Sequence, residues 1–419
     1  MKYSFDSDAL RRRSKKRPKR GLVLLASAII GLSLFIYAIT PNSATSNIAI
    51  PQDELKLPDI YVTELFKELT APSPSYDEEL GKYVETIDGK RVIYTLDHEL
   101  QEAAEKVLAR YSVPYGAFVA IEPETGRVLA MAEYSSKEQL KGFTLKADYP
   151  AASLVKIVTG AAALKTGEVT PDTVFRYEGN PYKLWKRKLN PKNKRRENNK
   201  DTFAGALGRS NNVVFGKVGV NNVGAERLRD ELSEFGFNQE LDFDFPLASS
   251  TAEVPDDEYQ LARTSAGFGD VKISPLHAAL IAAAVSNGGV MMRPWIVESV
   301  EDPEVGMIYS GAPQPMLRVA SKKTSSQLAK MMRKTITTGT STKIFYKYAK
   351  KLVRKVAISG KTGSLRGDAP PGNYEWFIGF APEEDSKIAV AGLVVNQGDL
   401  WHIKGTYAAM TVMRKFFGL

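Results

Sequence analysis

From residue 97 onward, apolar residues recur at a helical period. Leu100, Ala103, Ala104, Val107, Leu108 and Tyr111 fall on one stripe, and Asp97 stands before them as an N-cap, so a helix is predicted there. Two apolar runs follow at 116–121 and 127–132, joined by Glu122-Pro123-Glu124-Thr125-Gly126; that pattern predicts a β-hairpin. Residues 151–340 read mainly helical. Strands return around 353–359, 374–381 and 387–396, and a last helix lies near 406–417. Strands at both ends with helices between them predict one sheet built from the two termini, with a helical lobe inserted. There is no internal repeat and no low-complexity tract.

The N-terminal pattern is different. Residues 21–40 carry no charge and are rich in Leu, Ile, Val and Ala. As a helix they would span roughly 30 Å, the thickness of a bilayer's hydrocarbon core. Nine basic residues precede them in residues 1–20, whereas residues 41–60 hold only Lys56 against Asp53, Glu54 and Asp59. The charge bias predicts a cytoplasmic basic tail (1–20), a single transmembrane signal anchor (21–40) and a body on the extracytoplasmic side. A cleaved signal peptide is the alternative, but its apolar stretch usually runs about 7–15 residues. Residues 41–92, with Pro51, Pro58, Pro72 and Pro74, read as a stalk or linker with some helix around 59–69.

Composition narrows the chemistry. The 419 residues suit two or three domains, and 43% hydrophobic with 25% charged residues is a folding composition. With no cysteine and three scattered histidines (His98, His277, His402), no disulfide, thiol nucleophile or His/Cys metal site is expected. The net charge of +9 is local: residues 1–20 sum to +7, residues 183–200 to +8, and the remainder to −6. A nucleic-acid partner is therefore not expected. The 183–200 run reads as a solvated loop, or as a contact with lipid headgroups, acidic wall polymer or an acidic partner.

Three short segments carry candidate chemistry. In Ser153-Leu154-Val155-Lys156, positions i and i+3 share a helix face, so a desolvated lysine can take the serine's proton. Ser210-Asn211-Asn212 offers a hydroxyl and an amide, although such clusters are also common helix caps. Lys361-Thr362-Gly363-Ser364 ends an apolar strand; a cation with hydroxyls suits an anionic group, and Gly363 lets a substrate lie against the strand edge. Gly360-Lys361-Thr362 is not a phosphate loop, because Lys355 stands where that motif needs glycine.

In this order the three segments resemble the motif set of penicillin-binding proteins and class A β-lactamases. The similarity extends through Tyr94-Thr95-Leu96-Asp97, Gly267-Phe268-Gly269, Ser274-Pro275-Leu276, Asn287-Gly288-Gly289, Thr338-Gly339-Thr340 and Trp376-Phe377-Ile378-Gly379-Phe380-Ala381-Pro382. Residues 93–419 are thereby identified as resembling a class B-like, monofunctional penicillin-binding transpeptidase domain. The resemblance implies an α+β fold: a five-stranded antiparallel sheet flanked by helices, with an all-helical lobe. It implies acyl transfer on the D-Ala-D-Ala end of peptidoglycan stem peptides, without metal or cofactor, and inhibition by β-lactams.

The resemblance also assigns roles. Ser153 would be the nucleophile, Lys156 the group taking its proton, Ser210 a relay to the leaving D-Ala, and Asn212 the residue orienting substrate and Lys156. Lys361 would supply positive field near Ser210 and help hold the substrate carboxylate. Thr362, Gly363 and Ser364 would bind substrate, and the backbone N–H groups of Ser153 and Ser364 would form the oxyanion hole. The roughly 50 residues between anchor and domain leave no room for a glycosyltransferase domain and are few for the usual N-terminal pedestal. Implied partners are stem peptides, β-lactams, membrane lipid through residues 21–40, and other cell-wall synthesis proteins. Three alternatives stay open: a D,D-carboxypeptidase or endopeptidase, a non-catalytic penicillin-binding sensor or scaffold, and a β-lactamase. For the last, Glu234 and Asn238 stand at the spacing of a water-activating loop, but Glu234 reads as a surface residue at a helix C-terminus.

Overall fold

The computed structural model describes residues 65–189, 195–398 and 402–419. The expected tail, the anchor at 21–40 and residues 41–64 of the expected stalk lie outside them. Among the described residues no helix is long and apolar enough to cross a membrane.

Three strands come first: β1 (Ser75–Asp77), β2 (Lys82–Ile87) and β3 (Lys90–Tyr94). They correct the expectation of a stalk reaching residue 92. Tyr83, Ile87, Val92 and Tyr94 share one face of the paired β2 and β3 and are buried. Helix α1 (His98–Arg110) begins where predicted, with the Asp97 carboxylate accepting the Leu100 N–H at 3.0 Å. The predicted hairpin is β4 (Tyr115–Ile121) and β5 (Val128–Tyr134), and its turn uses Gly126 at φ +79°.

The inserted lobe holds α2 (Val155–Lys165), α3 (Phe203–Gly208), α4 (Asn212–Val218), α5 (Ala225–Glu234), α6 (Glu258–Ser265) and α7 (Pro275–Ser286). It is not purely helical. Val174–Tyr177 pairs with Asn199–Thr202, and β6 (Val297–Asp302) and β7 (Gly306–Ser310) follow α7. Then come α8 (Lys322–Thr337), α9 (Thr342–Tyr348) and α10 (Lys350–Lys355). The chain closes with β8 (Ser359–Asp368), β9 (Pro371–Ala381), β10 (Ile388–Asn396) and α11 (Gly405–Phe416).

The main sheet has the order β8-β9-β10-β4-β5, antiparallel throughout, so both chain ends build it as expected. Its residues alternate between two cores. Ala117, Val119 and Ile121 face the lobe's core; Phe118 and Ala120 face the core containing α1 and α11. A sheet covered on both faces explains the nearly continuous apolar runs of β4 and β10. The expected strand at 353–359 is corrected: residues through Lys355 end α10, and β8 starts at Ser359, so Lys361-Thr362-Gly363 lies near the start of the strand.

A second sheet, β1-β2-β3-β6-β7, joins the N-terminal strands to a pair far along the chain. Asp244, fully buried, holds that junction. Its Oδ2 accepts the Ile296 and Val297 N–H groups at 2.7 and 2.8 Å, and its Oδ1 lies 3.0 Å from buried Arg293 Nη2. Burial raises the carboxyl's pKa, and Arg293 opposes the rise. Replacing Asp244 with alanine leaves two buried N–H groups without their acceptor and Arg293 with Asp242 as its remaining partner, at a cost of about 2–5 kcal/mol. Urea denaturation followed by near-UV circular dichroism should show that loss; a change below about 1 kcal/mol would rule the junction out as a stability determinant.

Candidate active site

Ser153 sits in one turn of 3-10 helix, Ala152–Leu154, that leads directly into α2. Ala152 before it adopts φ +50°, a left-handed conformation that costs a residue with a Cβ of order 1 kcal/mol. The surroundings hold it there. A Cβ on Gly267 would fall 2.2 Å from the Ala152 carbonyl oxygen and 2.8 Å from the Ser153 nitrogen. On the other side a Cβ on Gly363 would lie 3.3 Å from the Ala151 oxygen and from the Ala152 Cβ. The missing side chain of Gly363 thus admits the serine turn rather than a substrate at an open edge. The Trp376 indole N–H fixes the approaching segment by donating to the Pro150 carbonyl at 2.9 Å.

Lys156 is one turn further along and wholly buried. Its Nζ is 2.8 Å from Ser153 Oγ, 2.8 Å from Asn212 Oδ1 and 2.5 Å from the Ala266 carbonyl. Burial drives its pKa well below the usual lysine value, and the charge of Lys361 adds to the effect. A neutral amine fits the three contacts: it donates to Asn212 Oδ1 and Ala266 O, and its lone pair accepts from the Ser153 hydroxyl. That is a general base in contact with its nucleophile.

The other two segments close around this pair. Asn211 caps α4 by accepting from the Val213 and Val214 N–H groups at 3.1 Å, which turns Asn212 inward. The Asn212 amide donates to the Tyr182 carbonyl at 2.9 Å. Ser210, at φ +56°, presents Oγ 3.0 Å from buried Lys361 Nζ, which also donates to the Thr362 carbonyl at 2.6 Å. Burial pushes Lys361 down to about 7. Because β8 is an edge strand, one side of its backbone has no strand partner among the described residues.

All eight residues singled out from the sequence meet here. The Ser364 hydroxyl, expected to contribute to substrate binding, donates to Glu375 Oε2 at 3.0 Å, which also binds Lys404 Nζ at 3.1 Å. Sequence reasoning missed Glu375. Burial raises its pKa, with Lys404 and Ser364 opposing, and its signal was an acid between Tyr374 and Trp376 in an apolar strand. Thr340 has no signal of its own in the sequence beyond its Thr-Gly-Thr motif; its Oγ1 lies 2.6 Å from Thr362 Oγ1, tying the end of the lobe to β8. Glu234 is not at the site: it ends α5 at the surface and pairs with Lys165 at 2.5 Å. The cavity of about 520 Å³ among Pro72, Gln101, Glu133 and Thr144 contains none of the eight residues.

The description "Penicillin binding protein transpeptidase domain" fits residues 116–417 as a family model. Peptidoglycan D,D-transpeptidase PbpA of Mycolicibacterium smegmatis is 28% identical over 341 residues, spanning 71% of this chain and 65% of that protein, just under two thirds of its length. The D,D-transpeptidase domain of a peptidoglycan glycosyltransferase from Eggerthella lenta superposes with a TM-score of 0.65 at 27% identity, covering 80% of this chain and 85% of that one. Penicillin-binding protein A of Mycobacterium tuberculosis, in its penicillin G acyl-enzyme complex, gives a TM-score of 0.61 at 25% identity, covering 78% and 80%. With the model matching most of its length, the chain belongs to the family of penicillin-binding protein transpeptidase domains.

Proposed function

We propose that this protein is a membrane-anchored peptidoglycan D,D-transpeptidase that cross-links stem peptides through a Ser153 acyl-enzyme. The observation that carries this reading is the buried Lys156 amine in contact with Ser153 Oγ, with its other two contacts spent on Asn212 and Ala266. Ser153 Oγ attacks the carbonyl of the penultimate D-Ala while Lys156 takes the hydroxyl proton. The tetrahedral oxyanion is met by the backbone N–H groups of Ser153 and Ser364. Ser210, paired with Lys361, passes a proton to the departing D-Ala nitrogen as the C–N bond breaks. The ester is then attacked by the amine of a second stem peptide; its proton returns through the same groups, and Ser153 is regenerated. Lys361 and Thr362 hold the substrate carboxylate, while Glu375 engages the proton of the Ser364 hydroxyl. No metal or organic cofactor enters these steps.

Cross-linking is tested by incubating the full-length protein with a stem-peptide donor and an acceptor amine, with products scored by mass spectrometry. Cross-linked peptide is expected. Release of D-Ala with only trimmed peptide would convert the reading to a carboxypeptidase, and no release at all would leave a sensor or scaffold.

The domain arrangement proposed with this activity is a cytoplasmic tail (1–20), an anchor (21–40) and a catalytic body outside the cytoplasmic membrane, supported by the charge asymmetry around residues 21–40. Protease added to cells with a permeabilised outer envelope should digest the body and spare an N-terminal tag. A protected body would reverse the orientation.

A further inference from the structure

The basic run at 183–200 is not used by the steps above. It begins at the active site. The Pro181 carbonyl accepts the Asn212 and Val213 N–H groups at 2.9 and 3.2 Å, and the Tyr182 carbonyl accepts the Asn212 amide at 2.9 Å. The loop that follows is braced from within by Lys188, which is 6% exposed and donates Nζ to the Lys183 carbonyl at 2.6 Å and the Asn180 carbonyl at 3.1 Å. A buried ammonium spent on backbone carbonyls shapes the loop.

That shape presents aromatic rings and cations outward. Tyr182 is 54% and Trp185 48% exposed; the Arg187 guanidinium, paired with Glu178, stacks 4.9 Å from the Trp185 ring centroid, and Lys188 Nζ lies 5.4 Å from it. Lys183 and Lys186 are exposed and form no ion pair among the described residues. The run's single acid, Glu197, is occupied by Lys217. The outcome is a positive, aromatic-faced rim on a wall of the cleft that also carries Asn212.

We propose that the Tyr182–Lys188 loop is a docking surface for the peptidoglycan strand itself. Its aromatic faces would lie on the sugar rings of the glycan, and Lys183 and Lys186 would meet the carboxylates of neighbouring stem peptides. The naming of this polymer rests on the transpeptidase reading. Continuity with Asn212 favours a strand threaded along the cleft over a flat anionic membrane, which would have no need of a rim joined to the catalytic asparagine.

The test uses the full-length protein in neutral detergent, with Ser153 first acylated by penicillin so that binding is read without turnover. Co-sedimentation with purified sacculi is measured for wild type, for Lys186→Glu, and for Lys183→Glu/Trp185→Ala/Lys186→Glu. Mixed micelles containing phosphatidylglycerol provide a parallel binding arm. Affinity for sacculi should fall by about tenfold or more in the triple variant and by less in Lys186→Glu, since reversal turns attraction into repulsion. Wild-type binding should weaken with salt. Lys350→Glu/Lys351→Glu, on an exposed basic helix elsewhere, should bind as wild type; thermal unfolding checks that each variant is folded.

Unchanged sacculus binding in the folded triple variant overturns the inference. So does loss of binding confined to the anionic micelles, which would assign the loop to a membrane, or an equal loss in the Lys350/Lys351 variant, which would reduce it to bulk charge. Failure of wild type to accept penicillin at the first step would strike the transpeptidase reading, and the binding comparison would still be read on the unacylated protein.

Discussion

Exchange of Ser153 for alanine is expected to abolish covalent labelling by fluorescent penicillin while the protein stays folded. The hydroxyl is the group aimed at Lys156 Nζ from 2.8 Å, and alanine removes the nucleophile with little change of shape. In wild type the adduct should persist for many minutes. Fast deacylation needs a carboxylate that activates water beside the ester. Glu234 could have filled that role by spacing, yet it lies at the C-terminus of α5, half exposed and paired with Lys165. Two results of timed mass spectrometry would count against this. Stoichiometric labelling of folded Ser153→Ala would move the nucleophile elsewhere; free enzyme returning within seconds, blocked by Glu234→Gln, would make the protein a β-lactamase.

Loss of Lys156 should be nearly as damaging. Lys156→Ala removes the base and leaves Asn212 Oδ1 and the Ala266 carbonyl without their donor, so acylation should slow by about 10²–10⁴-fold. Lys156→Arg should not restore it, because a guanidinium keeps its proton at any ordinary pH. The pH profile gives a separate check. Acylation needs Lys156 neutral, so the second-order rate constant should rise with pH on a limb well below the ordinary lysine range. It also needs the Lys361 charge, which burial holds at about 7, so the rate should fall again as pH rises through that value. A bell is therefore expected, and its ascending limb should vanish in Lys156→Ala. A rate that climbs steadily to pH 9 would mean that Lys361 stays charged or is not needed.

The parts of this molecule that were legible in the sequence are those whose signals are local. The Asp97 cap, the α1 stripe and the turn between β4 and β5 each need only neighbouring residues, and each formed within a residue or two of where the pattern put it. The N-terminal strands are not legible locally because their partner, β6, is far away in sequence; the short runs of 75–94 look like linker until Val297–Asp302 pairs with β3. β8 was displaced for another reason. Gly360, Gly363 and Gly367 deprive it of strand propensity, yet at Gly360 a Cβ would strike the Phe377 ring at 2.5 Å.

The site divides the same way. Residue identities are carried by three short motifs, and the structure brings those eight residues together. What those motifs do not convey is mutual: the Ala266 carbonyl under Lys156, the Tyr182 carbonyl on Asn212, and the Glu375 carboxylate that accepts the Ser364 hydroxyl. Backbone acceptors have no signature in sequence, and Glu375 gains its meaning only when β8 and β9 pair.

The seating of the nucleophile turn between Gly267 and Gly363 bears on how this protein could escape an inhibitor. Any side chain at position 267 collides with the backbone of Ala152 and Ser153, and at position 363 even a methyl is already in tight contact with Ala151 and Ala152. Substitutions that reshape the turn to slow acylation therefore damage the same geometry that accepts substrate. The room for change lies at the exposed rim, in the loop from Tyr182 to Lys188. An acylating compound that draws its affinity from the turn itself offers few routes to resistance, whereas one that leans on the rim can be lost by a single exposed substitution.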